Sequence, residues 1–178
     1  MKKNTTISVL CLLLLFSLFA NYKLFLIKQE YKNLIPYLLV GEEIKNVDLI
    51  DSDAQLIDPS QITKGVSVIF VFLKRCSPCD KNIIYWKKIA QMFENKISVT
   101  GVVLNTPTEG FNFEKEAKLN FRVYVPDNLT KYTKDMRIRL NQSQTIVLRD
   151  GKVKLVTMGD LSGKNAIEII NKIKGLLK

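Results

Sequence analysis

Val66-Ser67-Val68-Ile69-Phe70-Val71-Phe72-Leu73-Lys74-Arg75-Cys76-Ser77-Pro78-Cys79 decides the fold. The first eight residues are mostly apolar and rich in β-branched and aromatic side chains, as in a buried strand. After Cys79, the residues Ile83, Trp86, Ala90 and Phe93 recur at steps of three and four. That is the period of an amphipathic helix. The pattern predicts a strand over 66–73 and a helix ending near Phe93. Cys76 then falls at the helix start, where unpaired backbone N–H groups and the helix dipole stabilise a thiolate. The thiolate is the reactive form of cysteine, and C-x-x-C in this setting is a redox signature. Pro78 suits a first helical turn, where its missing N–H costs little.

Composition removes the competing chemistries. The chain has 178 residues, 47% apolar and 25% charged, enough for one globular domain and an extension. It has no histidine, and its only cysteines are Cys11, Cys76 and Cys79. A structural zinc site normally takes four Cys or His ligands, and a copper site built on His is excluded outright. One C-x-x-C staple cannot hold a domain of this size as a disulfide scaffold. The net charge is +10. Lys2, Lys3, Lys23, Lys28 and Lys32 belong to the N-terminal extension, and elsewhere Lys and Arg alternate with Asp and Glu. No basic helix face with interleaved aromatic residues is present, which argues against a nucleic-acid partner.

The N-terminus reads as an address. Lys2 and Lys3 precede an apolar run from Ile7 to Ala20, which continues past Asn21 and Lys23 to Ile27. Charge followed by an apolar stretch is the order of a secretory signal. Leu18 and Ala20 bracket a poor cleavage site. We expect an uncleaved signal anchor over 1–28, a connector over 29–39 and a globular domain over 40–178. The domain is expected on the outer face of the cell membrane, the alternative being secretion after cleavage. Cys11 is then a membrane-buried bystander. Either route delivers the dithiol to an oxidising compartment, where it needs a reductant.

Beyond the dithiol, Val47–Ile50 and Gln55–Ile57 around Asp51-Ser52-Asp53 read as a hairpin. Ile97–Leu104 is a second buried strand, Asn105–Gly110 a loop, Phe113–Leu119 a short helix and Phe121–Val125 a third strand. Asn128–Arg137 makes a small helix. Thr145–Leu148 and Lys152–Met158 are joined through Asp150-Gly151, a strong hairpin signal. Ser162 is the expected cap of a last helix, with Ala166, Ile169, Ile170, Ile173 and Leu177 facing the core. The order predicts an α/β fold, a central mixed sheet covered by helices.

This order, the anchor and the C-x-x-C resemble membrane-anchored thioredoxin-fold thiol–disulfide oxidoreductases of the TlpA/ResA type. The resemblance covers about Val40 to Leu177, with Val68–Cys79 and Thr145–Gly159 as its firmest landmarks. Asn105–Val125 resembles the family's inserted segment, and an N-terminal β-hairpin precedes the sheet. The resemblance implies dithiol–disulfide exchange on extracytoplasmic proteins, with no cofactor beyond the redox-active Cys76–Cys79 pair. The implied partners are a disulfide-bearing protein and an upstream membrane thiol reductant.

Three positions depart from that pattern. Arg75 replaces the Trp common before the first cysteine. Asn82 replaces a Glu that assists proton transfer. Aligning Thr145 with the family's Thr places Gln144 where a cis-proline normally faces the dithiol, and a trans Ser143–Gln144 bond is expected, because a non-proline cis bond costs about 2.5–4 kcal/mol. Cys76 is the expected attacking thiolate, aided by the charge of Lys74 and Arg75, and Cys79 the buried resolving thiol. Pro78, Arg75, Asp80, Gln144 and Thr145 are the candidate supporting or substrate-contacting residues. Asp80 is a proton relay or, more simply, a solvated first-turn acid. Tyr85 and Trp86 line a groove or fill the core. Three readings stand: a reductant of a specific protein partner, a redox-retired binding domain, or an oxidant or isomerase of the same fold.

Overall fold

Strand β2, Val66–Phe72, is the spine on which the other elements assemble. The computed structural model describes residues 13–26, 38, 40–44, 48–73, 76–138 and 142–178. Around β2 lie β3 (Ser98–Val103), β4 (Arg122–Pro126), β5 (Gln144–Arg149), β6 (Lys152–Met158) and the short β1 (Leu49–Ile50). The strand order is β1-β4-β3-β2-β5-β6. β2 runs parallel to β3, and β3 to β4, while β1, β5 and β6 pair antiparallel with their neighbours. A strand flanked on both sides and on both faces must be apolar throughout. That is why Val68 through Phe72 are fully buried.

Two apolar clusters lie on the sheet. Val68, Phe70 and Phe72 pack with Cys79, Trp86 and Ile89 of helix α3 (Ser77–Met92), with Phe113 of α4 (Pro107–Glu116) and with Ile169 and Ile173 of α6 (Lys164–Leu176). Ile69 and Val71 pack with Ile62 of α2 (Ser60–Thr63), with Tyr132 of α5 (Leu129–Asp135) and with Ile146 and Leu148. The alternation of residues along β2 therefore assigns the dithiol helix to one face.

The expected hairpin around Asp51 is present. Asp51 N–H donates to Gln55 O and Ile57 N–H to Leu49 O, both at 3.0 Å. The Asp51 carboxylate closes the turn by accepting the Asp53 and Gln55 N–H groups. The Asp150-Gly151 turn joins β5 to β6 with both residues at positive φ, 50° and 73°. That is the backbone the tight hairpin requires.

Three expectations are corrected. The segment Asn105–Gly110 is not all loop, because α4 begins at Pro107. Thr106 takes the extended N-cap conformation and its hydroxyl donates to Glu109 Oε2 at 2.9 Å. Pro at the first helical position with Glu two residues later is a helix start, not a break. Ser162 does not cap α6; Gly163 does, with φ 58°. Leu177 is 40% exposed, and Leu176 packs on the core instead.

The chain divides into two compact units, Met1–Pro36 and Tyr37–Lys178. Within the first, residues 13–26 form a helix, α1, whose leucines and phenylalanines are exposed. Among the described residues no helix is long and apolar enough to cross a membrane. Residues 1–12, 27 and 28 of the expected anchor lie outside the described residues, as do Cys11 and the connector over 29–37 and at 39.

Gly110 explains how closely α4 approaches the sheet. A Cβ built there would lie 2.8 Å from Val125 Cγ2 and 3.4 Å from Val103 Cβ. Gly175, late in α6, has nothing within 4 Å. Helix propensity favours Ala over Gly by about 0.8–1.0 kcal/mol, while overpacking costs about 1–3 kcal/mol. Gly110→Ala is expected to lower the urea unfolding midpoint and Gly175→Ala to raise it slightly. A Gly110→Ala midpoint that rises like that of Gly175→Ala would show that the Gly110 contact is not tight.

Candidate active site

Cys76 is the N-cap of α3, with extended dihedrals of −94° and 109°. Its carbonyl accepts the Cys79 N–H at 2.8 Å and the Asp80 N–H at 3.1 Å, which starts the helix. Cys76 and Cys79 are joined as a disulfide, with Cα atoms 5.1 Å apart. The two cysteines differ in environment. Cys79 is fully buried among apolar side chains, whereas Cys76 is only partly buried. Pro78 lies in the first turn, as its ring demands. Asp80 is exposed in that turn. Arg75 and Lys74 lie outside the described residues.

Trp86 is core, as its place on the apolar face implies. It is fully buried, with ring centroids 5.1 Å from Phe70 and 5.0 Å from Phe72. Its Nε1–H donates to Thr145 Oγ1 at 3.2 Å, so Thr145 supports the dithiol helix from β5. Tyr85 is half-buried against the same cluster.

Gln144 sits beside Val71 at the start of β5, and every peptide bond of the described residues is trans. Thr145 faces Trp86, so by strand alternation Gln144 faces the opposite side with Ile146. Gln144 is 1% exposed, its Nε2 lies 3.9 Å from Met158 Sδ, and its Oε1 is buried without a hydrogen-bond partner. Gln144, a candidate supporting or substrate-contacting residue, thus has its side chain away from the surface.

Asn82 carries more of the site than its sequence position indicates. It is fully buried one helical turn beyond Cys79. Its Nδ2 donates to Ser143 Oγ at 2.9 Å and to Gly159 O at 2.7 Å. The Ser143 hydroxyl also donates to Gly159 O, at 2.9 Å. On the other side, Asn82 Oδ1 accepts the Leu161 N–H at 2.8 Å. One carbonyl and one N–H thus fix which way the amide points, with no choice left to the side chain.

A groove of about 290 Å³ lies elsewhere, lined by Asp51, Glu114, Phe121 and Arg122 among others. Burial pushes the Glu114 carboxyl above its usual range, against the Val123 N–H and the charge of Arg122. Neither Cys76 nor Cys79 lines it. Among the described residues, no cluster of three or more Cys, Asp or Glu is arranged to hold a metal ion.

Residues 39–171, from the hairpin to α6, match the Redoxin family model. The chain belongs to the Redoxin family. Solved structures share the fold at low identity. The structure assigned as the thiol:disulfide interchange protein DsbE of Chlorobium tepidum is 16% identical, with TM-score 0.66, covering 79% of this chain and 99% of that one. The thioredoxin domain of a thiol-disulfide oxidoreductase from Bacteroides vulgatus is 16% identical, with TM-score 0.65, over 76% and 97%. A peroxiredoxin-like protein from Aquifex aeolicus is 19% identical, with TM-score 0.62, over 80% and 90%. No curated protein sequence matches the chain. The architecture is thioredoxin-like, and this redoxin carries its C-x-x-C as a disulfide at the strand-to-helix junction.

Asn82→Leu keeps the size of the side chain and strips its hydrogen bonds. It leaves the Leu161 N–H buried and unpaired, at a cost of about 1–3 kcal/mol per unsatisfied group. Denaturant unfolding should show a loss of at least about 2 kcal/mol. Asp80→Ala, at an exposed first-turn acid, should cost no more than about 1 kcal/mol. Similar losses for the two would remove Asn82 from its structural role.

Proposed function

We propose that this redoxin is a thiol–disulfide oxidoreductase that reduces a specific protein partner outside the cytoplasm. The observation that carries the reading is the asymmetry of the pair. Cys76 is partly accessible at a helix N-terminus, and Cys79 is sealed beneath it. A thiolate at Cys76 is favoured by the helix end, and only Cys76 is placed to meet a large substrate.

In the reduced protein the Cys76 thiolate attacks one sulfur of the partner's disulfide. The Cys76–partner bond forms, and the partner's other sulfur leaves as a thiolate. Cys79, once deprotonated, attacks Cys76 Sγ. The Cys76–Cys79 bond forms, the bond to the partner breaks, and the partner departs as a dithiol after taking up protons from solvent. The pair loses two electrons and the partner gains them. An upstream thiol reductant returns the disulfide to the dithiol by the reverse sequence.

We further propose a place at a membrane, of the TlpA/ResA type. The apolar run Ile7–Ala20 and the exposed apolar side chains of α1 support this reading. The departure at position 75, beside the attacking cysteine, favours a dedicated partner over broad disulfide reduction.

Cys79→Ser should accumulate mixed disulfides with its partner and Cys76→Ser should not, as read on non-reducing gels. The reduction potential should lie nearer about −270 mV than about −120 mV. Trapping by Cys76→Ser would reverse the roles. A potential near the oxidising end would make the protein an oxidant or isomerase. No exchange at all would leave a binding domain.

A further inference from the structure

Asn82 and Cys79 stand one helical turn apart in α3, both fully buried. The resolving step requires Cys79 to lose a proton. It belongs to an apolar cluster with Val68, Phe70, Trp86 and Leu161. The chain has no histidine, so no side chain titrates near neutrality without perturbation. Charged groups on the surrounding elements are exposed: Asp80 and Lys81 on α3, Asp160 after β6, and Lys164 and Glu168 on α6. Lys74, Arg75 and Arg139 lie outside the described residues and are cations. Glu114 belongs to the groove beside Phe121.

The polar group buried in the turn after Cys79 is an amide engaged on both sides. Both sides of Asn82 are committed, Nδ2 to Ser143 Oγ and Gly159 O, and Oδ1 to the Leu161 N–H. An amide does not titrate: its two N–H donors are committed, and its oxygen, which already accepts the Leu161 N–H, cannot take a proton from a thiol at neutral pH. It ties the dithiol helix to the start of β5 and to the turn that follows β6. That fixes the height of the first turn of α3, and with it the position of Cys79 beneath Cys76.

We propose that Asn82 is a positioning residue that holds Cys79 for attack on Cys76 but carries no proton, so that Cys79 has no side-chain base, loses its proton only to water or hydroxide admitted once the Cys76–Cys79 bond is open, and leaves the mixed disulfide with a partner long-lived at neutral pH. This rests on the oxidoreductase reading and adds the rate law of its second step. The step balances as written: Cys79 loses a proton to water or hydroxide, its thiolate displaces the partner from Cys76, and the partner's thiolate is protonated by solvent. Burial raises a thiol's pKa above about 8.5, so few Cys79 side chains are ionised at neutral pH.

The test uses the reduced full-length protein and dithiobis(nitrobenzoate). Attack by Cys76 releases one coloured thiolate, and resolution by Cys79 releases a second. Two phases are expected, the second slower. Its rate should climb about tenfold per pH unit from about pH 6 to about pH 8 without an inflection, as for a thiol ionised by solvent. In Asn82→Asp, an acid set against the Gly159 carbonyl should introduce an inflection into that phase. In Asn82→Ala the slow phase should fall at least about tenfold relative to the fast one; Ser143→Ala, a milder loss, should slow it in the same direction. An inflection in the unaltered protein, or an unchanged ratio of phases in both Asn82→Ala and Ser143→Ala, overturns the proposal alone. A fast phase that survives Cys76→Ser overturns the order of attack, and the proposal with it.

Discussion

A buried amide holds three separate pieces of chain together at the dithiol. Asn82 reaches Ser143, Gly159 and Leu161, residues 61, 77 and 79 positions away. A net hydrogen bond contributes only about 0.5–1.5 kcal/mol, but a buried group left unpaired costs about 1–3 kcal/mol. The network is therefore defined more by the penalty for opening it than by the gain from forming it. With Trp86 and Thr145 it fixes α3 against β5, and so fixes where Cys76 and Cys79 stand relative to the sheet.

The same geometry separates the two sulfurs chemically. A helix N-terminus stabilises a negative charge by about 0.3–1 kcal/mol at an exposed position, and up to about 2 kcal/mol when partly buried. Complete burial disfavours the ionised form by several pKa units, each worth about 1.36 kcal/mol. Cys76 receives the first effect with little of the second, whereas Cys79 carries the full cost of burial. Desolvation is the larger of the two, so it decides the order in which the sulfurs ionise. On the proposed mechanism Cys76, the more exposed sulfur, is the one to ionise first, and the helix end widens the gap.

Much of this was readable in the chain because the relevant signals are local. The β2 run, the C-x-x-C and the α3 periodicity are contiguous, and each fixes the next. The Asp150-Gly151 turn has a backbone requirement that its two residues meet directly. The start of α4 was missed because Pro107 and Gly110 look like breakers when counted alone. Thr106, Pro107 and Glu109 together form a helix start, and Gly110 is small because Val125 and Val103 lie against it. The role of Asn82 could not be read, since its partners are remote in sequence. Its position was visible only as an amide where an acid was expected. The sequence pattern starts the strand at Thr145, whereas Gln144 is the first residue of β5, where strand alternation turns its side chain away from Trp86 and buries it. The period-two pattern across Gln144, Thr145 and Ile146 accounts for that burial.

The account depends on Cys76 and Cys79 being unequal thiols in the reduced protein. The direct measurement is the thiolate absorbance of the reduced protein as a function of pH, with Cys79→Ser isolating Cys76 and Cys76→Ser isolating Cys79. The account predicts ionisation of Cys76 below about 8.5, the value of free cysteine, and of Cys79 above it. Equal values, or a Cys79 that ionises first, would contradict it.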